Sequence, residues 1–470
     1  MNKIFWIITA MVGNTVAAAT ILSQQSSIGG DWSGSISVAG QAIPMSVHFT
    51  AAEDGLSAAI DIQGTTGLPL QSVSYQPPKV HFELPAGGSV AVFDGEHAGD
   101  SIGGAFTQAG ITGTFTLVRA VAEAAADEVE AEPLPYDAEE VTFHNADITL
   151  AGTLTLPRTG APHPAVVMIT GSGPQNRDEE LFGFKLFQVI ADHLTRNGVA
   201  VLRYDDRGVG GSTGSVSQAT SEDFAADVIA AVDLLKNRND IHPARIGLMG
   251  HSEGGIVAPI AASQSDDIAF MVLMAGTSVT GAEIIFEQSA LIARTAGASE
   301  ADIERQSALQ RRVFAVVRAG EGWDELSAAL RSEIEAGLAA MPDSQRSAIT
   351  DVDAYVEAQV QGQITASRTP WFQFFIDYDP AATLRTVDTP VLALFGELDL
   401  QVTPGQNRGP MEEALRAGNH PDYTIRVLPN ANHLFITANT GSPAEYGSLP
   451  KEFVPEFLPM VTDWILERIR

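Results

Sequence analysis

The chain has 470 residues, of which 45% are hydrophobic and 18% are charged, a balance that is typical of packed globular proteins and excludes a disordered chain. Its length predicts two or three domains. Acidic residues number 58 and basic residues 27, which gives a formal net charge of -31. Because nucleic acid and anionic membrane surfaces carry the same sign of charge, neither is expected as a partner.

Residues 1–19 have the pattern of a cleavable secretory signal peptide. Lys3 supplies a positive start, residues 4–12 are apolar, and alanines at 17–19 offer a cleavage site. Since the apolar run is short for spanning a bilayer, a membrane anchor is the weaker interpretation. The sequence has no cysteine, which excludes disulfide bonds and a cysteine-linked lipid. We expect a secreted or periplasmic protein without stable membrane insertion; the sequence does not indicate an oligomeric state.

Residues 28–119 predict a small antiparallel β domain. Segments such as "SISVAGQAIPMSVHFT" and "KVHFELPAGGSVAVFDGE" alternate apolar and polar positions and are broken by glycine-rich turns. No cluster of His, Asp or Glu in this part of the sequence suggests a site. A structural or substrate-recruiting accessory role is therefore expected.

An Ala/Glu-rich and then proline-rich stretch, residues 120–137, predicts an exposed acidic linker. Residues 138–470 then alternate strands and helices. After a hairpin at "VTFHNADITLAGTLTLP", six short apolar runs have strand length: "HPAVVMIT", "VAVLRYDD", "RIGLMGHS", "AFMVLMAG", "PVLALFGE" and "YTIRVLPN". Such runs joined by helices predict an α/β domain with a mostly parallel sheet that is buried on both faces.

The interval from about 278 to 385 interrupts this rhythm. Its sequence is helical in pattern, as in "GAEIIFEQSALIART", and has almost no strand signal. Because it is too long for a loop between two strands, a helical cap inserted over one end of the sheet is expected.

The pentad Gly250-His251-Ser252-Glu253-Gly254 follows a predicted strand and precedes a predicted helix. In that context Gly-x-Ser-x-Gly indicates a sharp turn that raises a serine hydroxyl above the edge of the sheet. The glycines leave space where strand and helix approach each other. Ser252 is therefore the predicted nucleophile, against the alternative of a glycine-rich turn without chemistry.

A serine hydroxyl needs a base to take its proton and a carboxylate to orient that base. In this chain order the carboxylate comes next and the histidine last. "PVLALFGELDLQV" places Asp399 just after one strand, and "VLPNANHLF" places His433 just after the next. Glu397 is an alternative carboxylate to Asp399. The other histidines weighed for the role of base are His251, expected to point elsewhere on its turn, His420, before the last strand, and His48, His81 and His97, in the β domain.

Acyl chemistry also requires donors for the oxyanion that develops on the substrate carbonyl. The backbone N–H of Glu253 is one candidate, and we claim only its backbone, since its side chain could be solvated or could hold a neighbouring loop. The second donor is expected from the loop after "AVVMIT", with Ser172 preferred and Gly173 as the alternative.

Two further motifs are read as structural. "DDRGVGGSTG" (205–214) lacks the lysine and spacing of a phosphate-binding loop, so that Asp205, Asp206 and Arg207 are expected to stabilise a turn near the site. "NRDEE" (176–180) has no histidine or cysteine at ligand spacing. A solvated or salt-bridged loop is therefore favoured over a metal site, and we expect neither metal nor cofactor.

Together "GHSEGG", "RYDDRGVGGS", "ITGSGPQNRDE", "WFQFFIDYDP" and "GELDLQV" resemble the α/β-hydrolase superfamily. Residues 138–470 are similar to secreted bacterial serine esterases of its dienelactone-hydrolase and serine-aminopeptidase-like branch. The resemblance implies a Ser252–Asp399–His433 triad, no cofactor, and a helical cap that shapes the acyl or alcohol pocket. Thr170-Gly171 replaces the usual His-Gly pair before the oxyanion loop, so the resemblance does not assign the second donor.

The expected activity is hydrolysis of small-molecule carboxylic esters through an acyl-enzyme intermediate. A peptidase, an amidase or a thioesterase would use the same triad, and a carbohydrate- or lipid-binding module with a silent hydrolase fold is the alternative from another class. The cap's aromatic stretch, residues 371–378, could line an apolar pocket, although packing of the cap on the core is favoured.

Overall fold

The computed structural model describes residues 28–38, 41–52, 55–62, 65–86, 89–120, 134–347 and 349–469. The predicted signal peptide (1–19) and residues 121–133 of the predicted linker lie outside these residues. No helix in the described ranges is long and apolar enough to cross a membrane. The chain forms two compact units. The first unit comprises the described residues from 28 to 120 without 65 and 66, together with Arg331–Gln363. The second unit comprises the other described residues.

The first unit contains a nine-stranded antiparallel sheet. Its strands, in chain order, are β1 (Gly30–Val38), β2 (Gln41–Ala52), β3 (Gly55–Ile62), β4 (Thr65–Pro69), β5 (Gln71–Gln76), β6 (Lys79–Ala86), β7 (Ser89–Ala98), β8 (Ser101–Gln108) and β9 (Ile111–Arg119). They are ordered β4-β3-β2-β1-β9-β8-β7-β6-β5. The sheet is therefore a meander in which β1 and β9 are neighbours.

One face of this sheet forms the unit's core. On β1, β7 and β9 the buried positions lie two or four residues apart, as the period-two pattern predicts for one face. Phe82 stacks on Phe93 with ring centroids 4.6 Å apart, and Phe115 packs edge-on against both. The opposite face carries polar side chains, such as His48, which lies 2.8 Å from both Asp31 and Asp61.

Part of the helical interval belongs to this first unit. The backbone N–H groups of Thr350 and Asp351 both donate to the carbonyl of Gly110, at 2.9 and 3.1 Å, and Ile349 bridges to Ile111. Gly110 has φ +80°, and a Cβ there would lie 2.1 Å from the Asp351 carbonyl oxygen. The sequence interpretation placed the whole of 278–385 in the hydrolase domain, whereas Arg331–Gln363 are grouped with the β sheet.

The second unit contains an eight-stranded sheet ordered β10-β11-β15-β12-β16-β17-β18-β19. The strands of this unit are β10 (Tyr136–Asn145), β11 (Ile148–Pro157), β12 (His163–Ile169), β13 (Glu180–Leu181), β14 (Phe184–Lys185), β15 (Ala200–Tyr204), β16 (Ile241–His251), β17 (Met271–Met274), β18 (Val391–Gly396) and β19 (Tyr423–Leu428). From β15 to β19 all neighbours are parallel, and β11 is antiparallel to both of its neighbours. The first strand begins at Tyr136, two residues before the predicted domain start.

Helices join these strands. They are α1 (Leu186–Arg196), α2 (Ser221–Lys236), α3 (Gly254–Gln264), α4 (Gly281–Thr295), α5 (Glu300–Ala319), α6 (Trp323–Ala340), α7 (Asp343–Arg346), α8 (Val352–Ser367), α9 (Pro370–Asp377), α10 (Pro380–Leu384), α11 (Pro404–Ala417) and α12 (Phe457–Arg468). Thr220 caps the start of α2 through a capping box with Asp223. Strands β12, β15, β17 and β18 are almost fully buried, because helices cover both faces of a parallel sheet.

Candidate active site

Ser252 lies on a tight turn between β16 and α3. Its φ is +53°, a left-handed conformation that non-glycine residues rarely adopt. The strand and helix approach so closely that a Cβ on Gly250 would lie 2.0 Å from the carbonyl oxygen of Gly254. The Ser252 N–H donates to the Met274 carbonyl of the neighbouring strand, at 2.8 Å. The backbone strain predicted for a nucleophile turn is therefore located at the serine itself.

Asp399 and His433 follow β18 and β19 and contact each other. His433 Nδ1 lies 2.8 Å from Asp399 Oδ2. The other carboxylate oxygen accepts the N–H groups of Gln401 and Val402, at 2.7 and 2.9 Å. Because Nδ1 donates to a carboxylate, Nε2 is left to accept a proton. The alternative carboxylate, Glu397, instead accepts the N–H of Asn430 at 2.9 Å.

A cavity of about 470 Å³ brings the predicted residues together. Ser252, His433, Glu253 and Ser172 all line it. The helical interval contributes further lining residues, namely Ile284, Ile285, Gln288, Trp371 and Phe375. Asp399 lies behind His433 and is only 2% exposed. The cavity thus places a serine and a carboxylate-bound histidine at one site.

The loop 170–174 lies beside the serine. The N–H of Gly171 is bound to Glu179 Oε1 at 2.7 Å, so it cannot serve an oxyanion. Among the described residues, none accepts a hydrogen bond from the backbone N–H of Ser172 or of Glu253. Gly173, the alternative donor, does not line this cavity. Of the two donor candidates in this loop, only Ser172 lines the cavity.

The side chain of Glu253 is not solvated. It is 3% exposed, and its Oε1 accepts hydrogen bonds from Ser221 Oγ at 2.7 Å and Trp371 Nε1 at 2.8 Å. Burial raises the pKa of the Glu253 carboxyl, and these hydrogen bonds partly offset that effect. The residue therefore connects the start of α2 to helix α9.

The expectation that His251 points elsewhere is wrong, because its ring lies against the ring of His433. The centroids of the His251 and His433 rings are 4.7 Å apart. His251 Nε2 lies 3.0 Å from the His433 carbonyl oxygen, and Nδ1 lies 2.8 Å from Glu179 Oε1. Burial lowers the pKa of His251, but attraction and hydrogen bonding by Glu179 and the His433 carbonyl outweigh it, so that the pKa is raised.

Glu179 is a site residue that sequence reasoning missed. It belongs to "NRDEE", interpreted as a solvated or salt-bridged loop, yet it is 1% exposed. One oxygen holds both Gly171 and His251, while its Oε2 is buried with no hydrogen-bond partner among the described residues. The rest of the loop is salt-bridged, since Arg177 pairs with Asp205 at 2.7 Å. The sequence of a polar segment does not show which of its residues is buried.

The cluster at 205–207 stabilises the loops around the site, as expected from the sequence. Asp206 accepts hydrogen bonds from Thr170 Oγ1 at 2.7 Å and from the Gln175 N–H at 2.8 Å. Burial raises the pKa of the Asp206 carboxyl well above its usual range. Arg207 pairs with Asp227 at 2.6 Å. No three His, Asp or Glu side chains in the described part of the chain are grouped so as to hold a metal ion.

The aromatic stretch of the helical interval has mixed roles. Trp371 and Phe375 line the cavity and stack with centroids 4.9 Å apart. Phe374 and Tyr378 pack against the core of the second unit. Trp371 and Phe375 therefore combine pocket lining with packing on the core, whereas Phe374 and Tyr378 pack on the core without lining this cavity.

A mostly parallel sheet with one antiparallel strand, helices on both faces and a strained serine after a central strand define an α/β hydrolase. The family model described as serine aminopeptidase, S33, matches residues 184–438, which is more than half of the chain. The chain belongs to this family.

Three individual relatives share between 16% and 26% sequence identity with this chain. The chain is 26% identical to the esterase EstD of Thermotoga maritima over 330 residues, which cover 69% of this chain and 68% of that one. The solved structure of the esterase Pf2001 of Pyrococcus furiosus is 16% identical with a TM-score of 0.42, covering 71% of this chain and 92% of that one. Proline iminopeptidase of Mycobacterium smegmatis is 16% identical with a TM-score of 0.41, covering 70% and 99%.

Proposed function

We propose that the protein is a serine esterase that cleaves small carboxylic esters through an acyl-enzyme intermediate. The observation that carries the proposal is the strained Ser252, with φ +53°, lining the same cavity as His433, whose Nδ1 is fixed by Asp399. Membership of a serine hydrolase family and similarity to an esterase support the reaction class.

In the proposed mechanism Ser252 Oγ attacks the ester carbonyl while His433 Nε2 takes its proton. Asp399 stabilises the imidazolium that forms. The N–H groups of Glu253 and Ser172 donate to the oxyanion of the tetrahedral intermediate. His433 then gives its proton to the leaving alcohol, and the same residue activates water for deacylation.

The cavity favours a neutral substrate over an aminopeptidase substrate. A free α-ammonium group would need an accessible carboxylate, and the carboxylates lining the cavity are Glu179 and Glu253. They are 1% and 3% exposed and already accept hydrogen bonds from the protein. We therefore propose that esters are cleaved faster than aminoacyl amides.

The test combines active-site labelling with turnover. A fluorophosphonate probe should label the parent protein and not Ser252→Ala, and p-nitrophenyl butyrate should be cleaved much faster than aminoacyl p-nitroanilides. Ser263→Ala, an exposed serine in α3, is the matched control and should behave like the parent. Labelling of Ser252→Ala at the parent level would show that the nucleophile is wrong, and faster cleavage of anilides would favour the peptidase. Binding of ligands without turnover of any ester would favour the non-catalytic module.

We also propose that the protein is exported after cleavage behind residue 19. Expression of the full chain in a Gram-negative host, followed by N-terminal sequencing of the protein from the periplasmic fraction and medium, tests this. Recovery of only uncleaved protein in the cytoplasm would refute it.

A further inference from the structure

A second cavity lies behind the loop that carries the proposed oxyanion donor. Its volume is about 610 Å³, and its lining is mostly apolar. It is lined by Gly173, Pro174, Val216, Thr369 and Phe372, among others. All of these residues belong to the second unit. This cavity is called the rear groove below.

Ser172 and Trp371 line both the catalytic cavity and the rear groove. These two side chains therefore form the wall between the two spaces. The carboxylate of Glu253 fixes the indole side of this wall, because it accepts a hydrogen bond from Trp371 Nε1 at 2.8 Å. The indole also stacks on Phe375, with an interplanar angle of 12°. The indole is thus held by a hydrogen bond and by ring stacking.

The chemistry of ester cleavage determines which part of a substrate faces this wall. The leaving alcohol must lie within reach of His433, since that residue protonates it. His433 lines the catalytic cavity together with Leu434, Pro443 and Tyr446, and it does not line the rear groove. An acyl chain that extends away from His433 would pass Ser172 and approach Trp371, the two residues that line both spaces.

We propose that Trp371 determines acyl specificity: its indole ends the acyl pocket, and the rear groove is the space that a longer linear acyl chain enters when the indole is removed. This inference rests on the proposed esterase function. It makes the parent enzyme selective for short acyl chains. It also assigns the hydrogen bond from Trp371 to Glu253 the role of holding the indole in the closed position.

The test is the ratio of kcat/KM for p-nitrophenyl octanoate to that for the butyrate. Burial of one more methylene is worth about fourfold in binding, so burial of two or three of the four added methylenes should raise the ratio by at least about tenfold in Trp371→Ala. Trp371→Phe keeps most of the bulk and loses the N–H. Its ratio should stay within about threefold of the parent, even if both rates fall. A ratio, unlike an absolute rate, is not moved by a uniform loss of active enzyme.

A second substitution tests the route of the chain. Val216→Trp in the Trp371→Ala background fills the rear groove and should remove most of the gain on octanoate. Val189→Trp in the same background adds equal bulk on helix α1, where Val189 is exposed, and should leave the gain intact. Retention of the gain with Val216→Trp would overturn the rear groove as the path of the acyl chain.

Three further outcomes distinguish a failure of this inference from a failure of the proposed esterase function. An unchanged ratio in Trp371→Ala, with butyrate hydrolysis still dependent on Ser252, would refute the inference and leave the proposed function standing. Butyrate hydrolysis that survives in Ser252→Ala would refute the proposed function itself. A response of Trp371→Ala to alcohol length, measured with methyl and hexyl butanoate, instead of acyl length would also overturn the assignment.

Discussion

Substitution of Glu179 by glutamine tests the buried link that runs from Gly171 through Glu179 and His251 to His433. In the parent one oxygen of Glu179 accepts hydrogen bonds from the Gly171 N–H and from His251 Nδ1. His251 Nε2 donates to the His433 carbonyl, so that both ring nitrogens require a proton. A neutral glutamine removes the charge that favours this doubly protonated ring.

The expected loss of stability follows from counting these groups. If His251 becomes neutral, one of its two buried hydrogen bonds is lost, at a cost of about 1–3 kcal/mol. The new amide NH₂ occupies the position of Oε2, which has no partner among the described residues, and an unsatisfied buried donor costs a further similar amount. Glu179→Gln should therefore lower the free energy of unfolding by roughly 2–6 kcal/mol.

The pH dependence has a definite sign. The folded-state pKa of His251 is raised above 6.5, so that its contribution to stability is complete below the unfolded-state pKa and is lost as pH rises through the folded-state pKa. Parental stability should therefore decline as pH rises above about 6.5. Since Glu179 is the main cause that raises the pKa, Glu179→Gln should show a weaker decline, or one that begins at lower pH.

The assay is urea unfolding at a series of pH values, followed by circular dichroism and by loss of ester hydrolysis, which reports the second unit. Glu180→Gln is the matched control, because Glu180 lies next in the chain and forms only a partly exposed pair with Lys185, 3.6 Å apart. Its effect should be within about 0.5 kcal/mol. If Glu179→Gln and Glu180→Gln have the same stability and the same pH slope, the protonated link does not exist.

Three further substitutions have definite expected results. Asp399→Asn should lower kcat about 10⁴-fold, as measured by steady-state kinetics, because the amide NH₂ imposes the wrong tautomer on His433. The unfolding midpoint, measured by thermal melting, should change little, because the amide oxygen keeps its two backbone hydrogen bonds. Gly250→Ala should give no folded enzyme, since its Cβ would lie 2.0 Å from the Gly254 carbonyl oxygen; soluble yield and circular dichroism measure this. Phe82→Ala should destabilise the first unit by about 3–5 kcal/mol, as measured by urea unfolding.

Each of these has a control elsewhere in the chain. Asp388→Asn removes an exposed carboxylate and should leave kcat unchanged. Gly337→Ala places a methyl group in an exposed helix with nothing within 4 Å, and should stabilise by about 0.5–1 kcal/mol. Val118→Ala alters a side chain that is 54% exposed and should have little effect. If a control variant shows the same change in the measured quantity as the test variant with which it is paired, the corresponding prediction is contradicted.

The sequence predicted the sheet of the second unit because each buried strand is a continuous apolar run of strand length that can be recognised without its neighbours. The same runs predicted the positions of Asp399 and His433, because both residues follow the end of a strand. This prediction requires no knowledge of contacts. Ser252 was located because glycines at fixed offsets encode the turn locally. The predicted residues lie near one another because the fold converts local order in the chain into proximity.

The pairing of Glu179 with His251 could not be predicted in this way. The two residues are 72 positions apart, and neither lies in a pattern that distinguishes a buried carboxylate from a solvated one. The same holds for Glu253, whose partner Trp371 is 118 positions away. Likewise, an amphipathic helix indicates that it has a buried face but not which surface covers that face, so that the grouping of Arg331–Gln363 with the β sheet was missed.

That grouping makes the first unit discontinuous in the chain. A protease that cuts once between residues 120 and 134 would therefore release nothing, because the chain still connects the two units at 330–331 and 363–364. Separation by digestion requires further cuts at both of those crossings. Deletion of residues 28–120 would likewise leave Arg331–Gln363 without the sheet on which Thr350 and Asp351 dock, so the β unit cannot be treated as a removable N-terminal appendage.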